Sequence, residues 1–202
     1  MESMLAAFGS GAAKASQDGE KRILNVDIGG GTAKLAILEE GQVKVTAAVH
    51  IGGRLQVVDE AGAIVWLDPA GRTHASRAGF DWSIGDKVSS EDLDKVADGM
   101  AATLIDALVT RPIPPDLENF YLTDPILDWG RIDGVMFSGG VAEYVYGREE
   151  RDFGDMGLRL GHAIARRLEA GALPWNLLPA GECIRATALG ASESSAQLSG
   201  NT

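Results

Sequence analysis

Ile23-Leu24-Asn25-Val26-Asp27-Ile28-Gly29-Gly30-Gly31-Thr32-Ala33-Lys34-Leu35-Ala36-Ile37-Leu38 decides how this chain is organised. β-Branched and aliphatic residues fill both arms and three glycines sit between them, the pattern of strand, turn, strand. An ordinary hairpin needs only one or two glycines. Three in a row, with an Asp closing the incoming arm and a Thr opening the outgoing one, point to backbone that something approaches closely. Glycine admits unusual φ/ψ and carries no Cβ, so successive N–H groups can curl into an anion-binding concavity. On this reading the stretch is a phosphate loop, with Asp27 at its rim placed to hold a hydrated cation that bridges phosphate oxygens. A glycine-rich hairpin without a ligand is the competing reading.

The rest of the chain bounds the possibilities. Its 202 residues fit one medium domain, or one and a half. Apolar residues make up 45% and charged residues 23%, which is globular composition with enough apolar mass for a core. A net charge of −11 argues against nucleic acid or an anionic membrane as partner, because phosphate backbones demand basic surface. A single cysteine, Cys183, leaves no internal disulfide framework and fits a reducing compartment. No run of 18 apolar residues spans a membrane, and residues 1–20 lack the basic and apolar regions of a secretion signal.

In chain order, residues 2–8 are expected to form a short helix and residues 9–19, small and polar, a connector. After the glycine hairpin, Gly41-Gln42 turns the chain into a third strand at residues 43–49, completing an antiparallel meander. Residues 55–59 and 64–67 alternate around Gly62 as a small inserted hairpin within about residues 55–68. Residues 72–87 show no periodicity. Ser89 caps the clearest helix, with Glu91, Asp92 and Asp94 at its positive end and Leu93, Val96, Ala97, Met100, Leu104 and Leu108 on one face. Arg111-Pro112 ends it. Residues 114–130 form a long connection, and residues 133–138 read as a buried strand followed at once by Gly139-Gly140. Asp155 is placed to cap another helix with Leu160, Ile164 and Leu168 inward, stopped by Gly171. Residues 182–187 are expected to be a last strand and residues 188–191 to open a final helix.

Three strands in a meander, then helix, strand, helix, strand, helix, is the ribonuclease-H-like α/β plan: a mixed sheet with helices on its faces and ligands where loops leave the strand ends. Asp27-Ile28-Gly29-Gly30-Gly31-Thr32 resembles the second phosphate loop of the actin-like ATPase superfamily. Phe137-Ser138-Gly139-Gly140-Val141 resembles its adenosine-contacting loop, and Ala186-Thr187-Ala188-Leu189-Gly190-Ala191 its final connecting segment. More closely, residues 23–200 resemble the EutA family, the reactivating factor of ethanolamine ammonia-lyase. That likeness rests on Asn25-Val26-Asp27-Ile28-Gly29-Gly30-Gly31-Thr32, Gly52-Gly53-Arg54-Leu55, Leu178-Pro179-Ala180 and Ile184-Arg185-Ala186-Thr187.

The resemblance implies a bacterial cytoplasmic chaperone, associated with an ethanolamine-utilisation microcompartment, that uses ATP and Mg2+. Its partner is the lyase, from which it ejects damaged cobalamin. The superfamily's first phosphate loop, an Asp-Gly-Thr strand turn in an N-terminal lobe, has no second copy here. The chain is therefore expected to be a C-terminal lobe (residues 21–202), with residues 1–20 leading from an upstream lobe, Met1 an added start, and no hydrolysis by this chain alone. An actin-like binding or assembly module, with nucleotide as a switch or absent, is the alternative.

By the same resemblance, Asp27 orients the hydrated Mg2+, the alternative being a turn cap. Gly29, Gly30, Gly31 and Thr32 donate to the β- and γ-phosphates. Gly139 and Gly140, with Val141, let adenine and ribose lie flat against backbone. Gly53 and Arg54 contribute near the phosphates. Lys34, on the same side as Thr32, either reaches a phosphate or is an exposed strand lysine. His50, His74, His162 and Cys183 lack metal-ligand spacing, and residues 149–152 read as a solvated charged loop. No Gly-x-Ser-x-Gly elbow, P-loop or complete dinucleotide fingerprint is present.

Overall fold

The computed structural model describes residues 9–179. Among these described residues two sheets and six helices follow one another: α1 (Ala12–Asp18), β1 (Ile23–Ile28), β2 (Ala33–Glu39), β3 (Gln42–Val49), β4 (Gln56–Val58), β5 (Ile64–Leu67), α2 (Pro69–Arg77), α3 (Ser90–Val109), α4 (Pro115–Glu118), β6 (Gly134–Ser138), α5 (Ala142–Val145) and α6 (Gly157–Glu169). The main sheet has the order β3-β2-β1-β6, and β4-β5 form a separate hairpin. β1 pairs antiparallel with β2 and parallel with β6, so the central strand joins the local meander to a strand more than a hundred residues away.

Burial follows from that order. Every residue of β1 and β6 is buried, as expected where both faces of a sheet are covered. β3, at the edge, buries Ala47 and Val49 and exposes Gln42, Lys44 and Thr46. Its outer edge is covered in part by the connection after α4. His50 N–H donates to Phe120 O at 2.8 Å and Leu122 N–H to Ala48 O at 2.8 Å, which removes bare strand edge that would otherwise invite foreign pairing.

The long helix α3 forms for the reasons its sequence advertises. Ser89 Oγ accepts from Asp92 N–H at 3.1 Å, and Asp92 Oδ2 accepts from Ser89 N–H at 3.4 Å, a reciprocal capping box. All six residues of the expected apolar face are buried. It packs against α6, where Leu160 and Ile164 are buried and Leu168 half-buried. Asp155 does not occupy the cap position itself, which is Met156, but its Oδ1 accepts from Gly157 N–H at 2.9 Å.

Helices appear where none was expected: α4 and α5 as single turns, and α1 and α2 as longer ones. The supposed connector at residues 9–19 contains α1, with Ala12, Ala13 and Ser16 buried against the meander. Its side chains are too small to announce an amphipathic helix, yet smallness is what lets it lie close to β1 and β2. Residues 72–87, without visible periodicity, are preceded by Asp68-Pro69, and this pair starts α2: Asp68 Oδ1 accepts from Ala70 N–H at 2.8 Å and proline takes the first helical position. α2 sits so close to the loop before β4 that a Cβ on Gly71 would lie 2.3 Å from Leu55 O. The expected helix at residues 2–8 and the strand and helix after residue 180 lie outside the described residues, as does Cys183.

Two substitutions test this account by urea unfolding. Leu104→Ala, in the fully buried face of α3, is expected to cost about 3 kcal/mol, and Ser89→Ala about 1 kcal/mol, each lowering the midpoint with little change in slope.

Candidate functional site

Parallel pairing of β1 with β6 sets Asp27 opposite Ser138, so the two strands end side by side and both glycine loops leave from the same edge. Val141 N–H donates to Ile28 O at 3.3 Å, bridging the two exits. Gly139 admits no side chain: its φ is +82°, and a Cβ there would lie 2.4 Å from Ile28 O and 2.9 Å from Asp27 Oδ1. A third segment supports the triple-glycine turn from behind. Gly53 N–H donates to Gly29 O at 2.9 Å and Arg54 N–H to Gly30 O at 2.7 Å, while Met156 N–H donates to Gly53 O at 2.7 Å. Gly52 has no room for a side chain, since its Cβ would stand 2.3 Å from Gly30 O.

These loops enclose a cleft of about 280 Å³. Of the residues singled out in the sequence, Gly29, Gly30, Gly53, Arg54, Gly140 and Val141 line it, whereas Asp27, Gly31, Thr32, Lys34 and Gly139 do not. The triple glycine works differently from expectation. None of Gly29, Gly30 and Gly31 has a positive φ, so unusual dihedrals are not what the turn needs. Nor does the protein crowd them: a Cβ on Gly29 would meet its nearest atom at 3.9 Å, and those on Gly31 and Gly140 would meet nothing within 4 Å. The glycines leave bare backbone beside open space.

Asp27 is not at a rim. It is 3% exposed, its Oδ1 accepts from Ser138 Oγ at 3.0 Å, and its Oδ2 lies 3.6 Å from Lys34 Nζ. Lys34 is correspondingly not an exposed strand lysine; it stands directly across the β1–β2 ladder from Asp27 with its side chain 16% exposed. The polar chain continues inward, with Asn25 Nδ2 donating to Ser138 Oγ at 3.2 Å and Ser10 Oγ to Asn25 Oδ1 at 3.1 Å. Both carboxylate oxygens thus have a protein partner, one the Ser138 hydroxyl and the other the Lys34 ammonium, so a hydrated Mg2+ on Asp27 would have to share the carboxylate with that ammonium. Among the described residues no group of three or more His, Cys, Asp or Glu gathers as a metal site.

The far wall was not legible. Glu143, Tyr144, Glu149, Arg151, Phe153, Asp155 and Gly157 complete the cleft, so the supposed solvated loop at residues 149–152 contributes two of its charges. Arg151 is hydrogen-bonded to Glu149 and holds that carboxyl at about 2, and its guanidinium lies 5.1 Å from the Phe153 ring centroid. Phe153 is 55% exposed. Burial pushes the Asp155 carboxyl above its ordinary range, against the opposing pull of Gly157 N–H and of Arg54, whose Nη1 is 4.0 Å away. A carboxyl raised by burial inside a cleft is a common mark of a functional site. The only sequence clue to this wall was position, immediately after the second glycine loop.

A mixed sheet in which a β-meander pairs in parallel with a later strand, both strands ending in glycine loops beside one cleft, is the fold of the actin-like ATPases. The nucleotide-bound form of MreB5 from Spiroplasma citri, solved with AMPPNP, superposes on this chain with a TM-score of 0.51 at 17% identity, over 99% of this chain and 59% of that one. The chain belongs to the family of ethanolamine utilisation protein EutA, whose sequence model matches residues 1–202. It is 29% identical over 205 residues to the ethanolamine ammonia-lyase reactivase EutA of Salmonella typhimurium and 28% identical to that of Escherichia coli. The alignments cover 100% of this chain and 43% of each relative, so the chain spans less than half their length. No helix among the described residues is long and apolar enough to cross a membrane.

Two outcomes follow from the geometry. Gly139→Ala forces a side chain into positive φ and against Ile28 O, and is expected to cost more than about 2 kcal/mol, whereas Gly140→Ala enters open space and is expected to stay within about 0.5 kcal/mol by urea unfolding. Asp155, with its folded pKa raised, holds its proton more tightly in the folded than in the unfolded chain. Its contribution to stability is present at acid pH and is lost as pH rises from the ordinary carboxylate value through the higher folded one. Asp155→Asn, which keeps an acceptor for Gly157, is expected to flatten that part of the pH–stability curve.

Proposed function

We propose that this chain is the nucleotide-binding C-terminal lobe of a reactivating chaperone for ethanolamine ammonia-lyase, one that uses ATP to promote release of damaged cobalamin from the lyase. The observation that carries the reading is the meeting of the two glycine loops beside one cleft whose near wall is unobstructed backbone. Protein packing accounts for Gly52 and Gly139 but not for Gly29 or Gly140, both in the cleft wall, and a ligand pressed against backbone supplies the missing reason. Family membership and the reactivase relatives support the choice of lyase as partner. The nucleotide in the MreB5 structure supports the choice of ligand.

In this reading the Gly30 and Gly31 N–H groups and the Thr32 hydroxyl serve the β- and γ-phosphates as preorganised donors, while Gly29, whose own N–H donates to Thr32 O at 3.0 Å, lets the ligand come close to bare backbone. Arg54, its side chain 63% exposed at the mouth, adds positive charge. Gly140 and Val141 form the floor under adenosine, and Gly139 holds that floor against β1. Lys34 and Asp27 act from beneath the turn without touching the ligand. The lobe by itself binds nucleotide and does not turn it over.

Calorimetric titration of this chain with ADP tests the site. Binding is expected for the wild type, and Gly140→Val is expected to weaken it by more than about tenfold, a loss of about 1.4 kcal/mol or more, with its thermal midpoint little changed. No ADP binding by a folded chain rejects the nucleotide reading. Co-purification with ethanolamine ammonia-lyase tests the partner: retention is expected, and its failure with both ATP and ADP present rejects the chaperone assignment.

A further inference from the structure

We propose that the site takes its nucleoside diphosphate or triphosphate without a divalent cation on Asp27, the Lys34 ammonium holding the place such a cation would occupy. The inference rests on the nucleotide reading above and concerns how that site balances charge. Register puts Lys34 there: it is the residue paired with Asp27 across the β1–β2 hairpin, and cross-strand partners project to the same face of a sheet. The two side chains are 16% and 4% exposed, with Nζ and Oδ2 3.6 Å apart. An ion pair so withdrawn from water interacts through a lower effective dielectric than a surface pair and is less screened by salt.

The opposite oxygen is equally committed. Ser138 Oγ donates to Oδ1, and Ser138 is itself held by Asn25 and Asn25 by Ser10. Ser138 and Asn25 are each 0% exposed, so this chain of hydrogen bonds has no solvent into which to rearrange. For a hydrated Mg2+ to approach Asp27, the lysine must leave a partly buried site or remain as a second cation beside the first. In the first case the Lys34 side chain gives up its ion pair with Asp27. Keeping both sets +1 against +2 at close range. Lys34 avoids both costs. It places a fixed positive charge at the base of the Gly29–Gly31 turn, one residue pairing inside the point where the backbone opens to the cleft.

The test is ADP titration of the full chain in Mg2+ and, separately, in EDTA. The two dissociation constants are expected to agree within about threefold, a difference under about 0.7 kcal/mol. Lys34→Met is expected to weaken binding in EDTA by about tenfold or more, with Mg2+ restoring part of the loss, while Lys34→Arg, which keeps the charge, retains binding in EDTA. Thermal unfolding of each variant shows whether it is folded. Wild-type binding that disappears in EDTA, or a folded Lys34→Met chain that binds as the wild type does under both conditions, overturns the inference and leaves the nucleotide site standing. Absence of binding in both buffers overturns the inference together with the nucleotide reading.

Discussion

The parallel ladder between β1 and β6 is the contact on which everything else depends. It joins residues 23–27 to residues 134–138, and nothing local in either segment requires the other. Once it forms, the strand ends coincide, and Gly139 must turn away within 2.4 Å of Ile28 O if given a Cβ. That closeness is why the second loop can carry no other residue there, and why the two turns face one cleft. Such non-local pairing carries a loop-closure cost before its contacts form. The buried faces of β1 and β6 and the packing of α3 on α6 offset that cost.

The region around the cleft divides into a rigid part and an accessible part. Residues 52–54, 139–141 and 155–157 are stitched to one another and to the triple-glycine turn by backbone hydrogen bonds and by glycines that admit no side chain. Beneath them lies the buried polar chain from Ser10 through Asn25, Ser138 and Asp27 to Lys34. Fully partnered networks of this kind rigidify what they underlie. The accessible part carries the charges. Arg54, Glu149, Arg151 and Asp155 stand around the opening with both signs represented, and the Arg54–Asp155 approach at 4.0 Å is loose enough to yield to a ligand. A stiff floor with adjustable charged walls suits a polyanion that must be held and later released.

Family membership gives this arrangement a setting. The relatives are named ethanolamine ammonia-lyase reactivases and are more than twice as long as this chain.

Much of this was determined by local chemistry in the chain. The meander, the β4–β5 hairpin, α3 with its Ser89 cap and the buried strand at residues 134–138 all have signals written within a few residues, because periodicity, capping and glycine turns are short-range effects. The two glycine loops were legible for the same reason. Tertiary structure decided what depended on partners distant in sequence. α1 is built from residues too small to show a periodic face, and it becomes a core element only because the sheet surface is there to receive it. Asp27 looked like a rim carboxylate until the ladder set Lys34 and Ser138 against it. Glu149, Arg151 and Phe153 have no motif of their own and Asp155 reads only as a helix cap; they reach the cleft because α5 packs on β6 and α6 packs on α5. Residue type determines which chemistry is possible, but burial and pairing across the fold determine which of those possibilities a side chain retains.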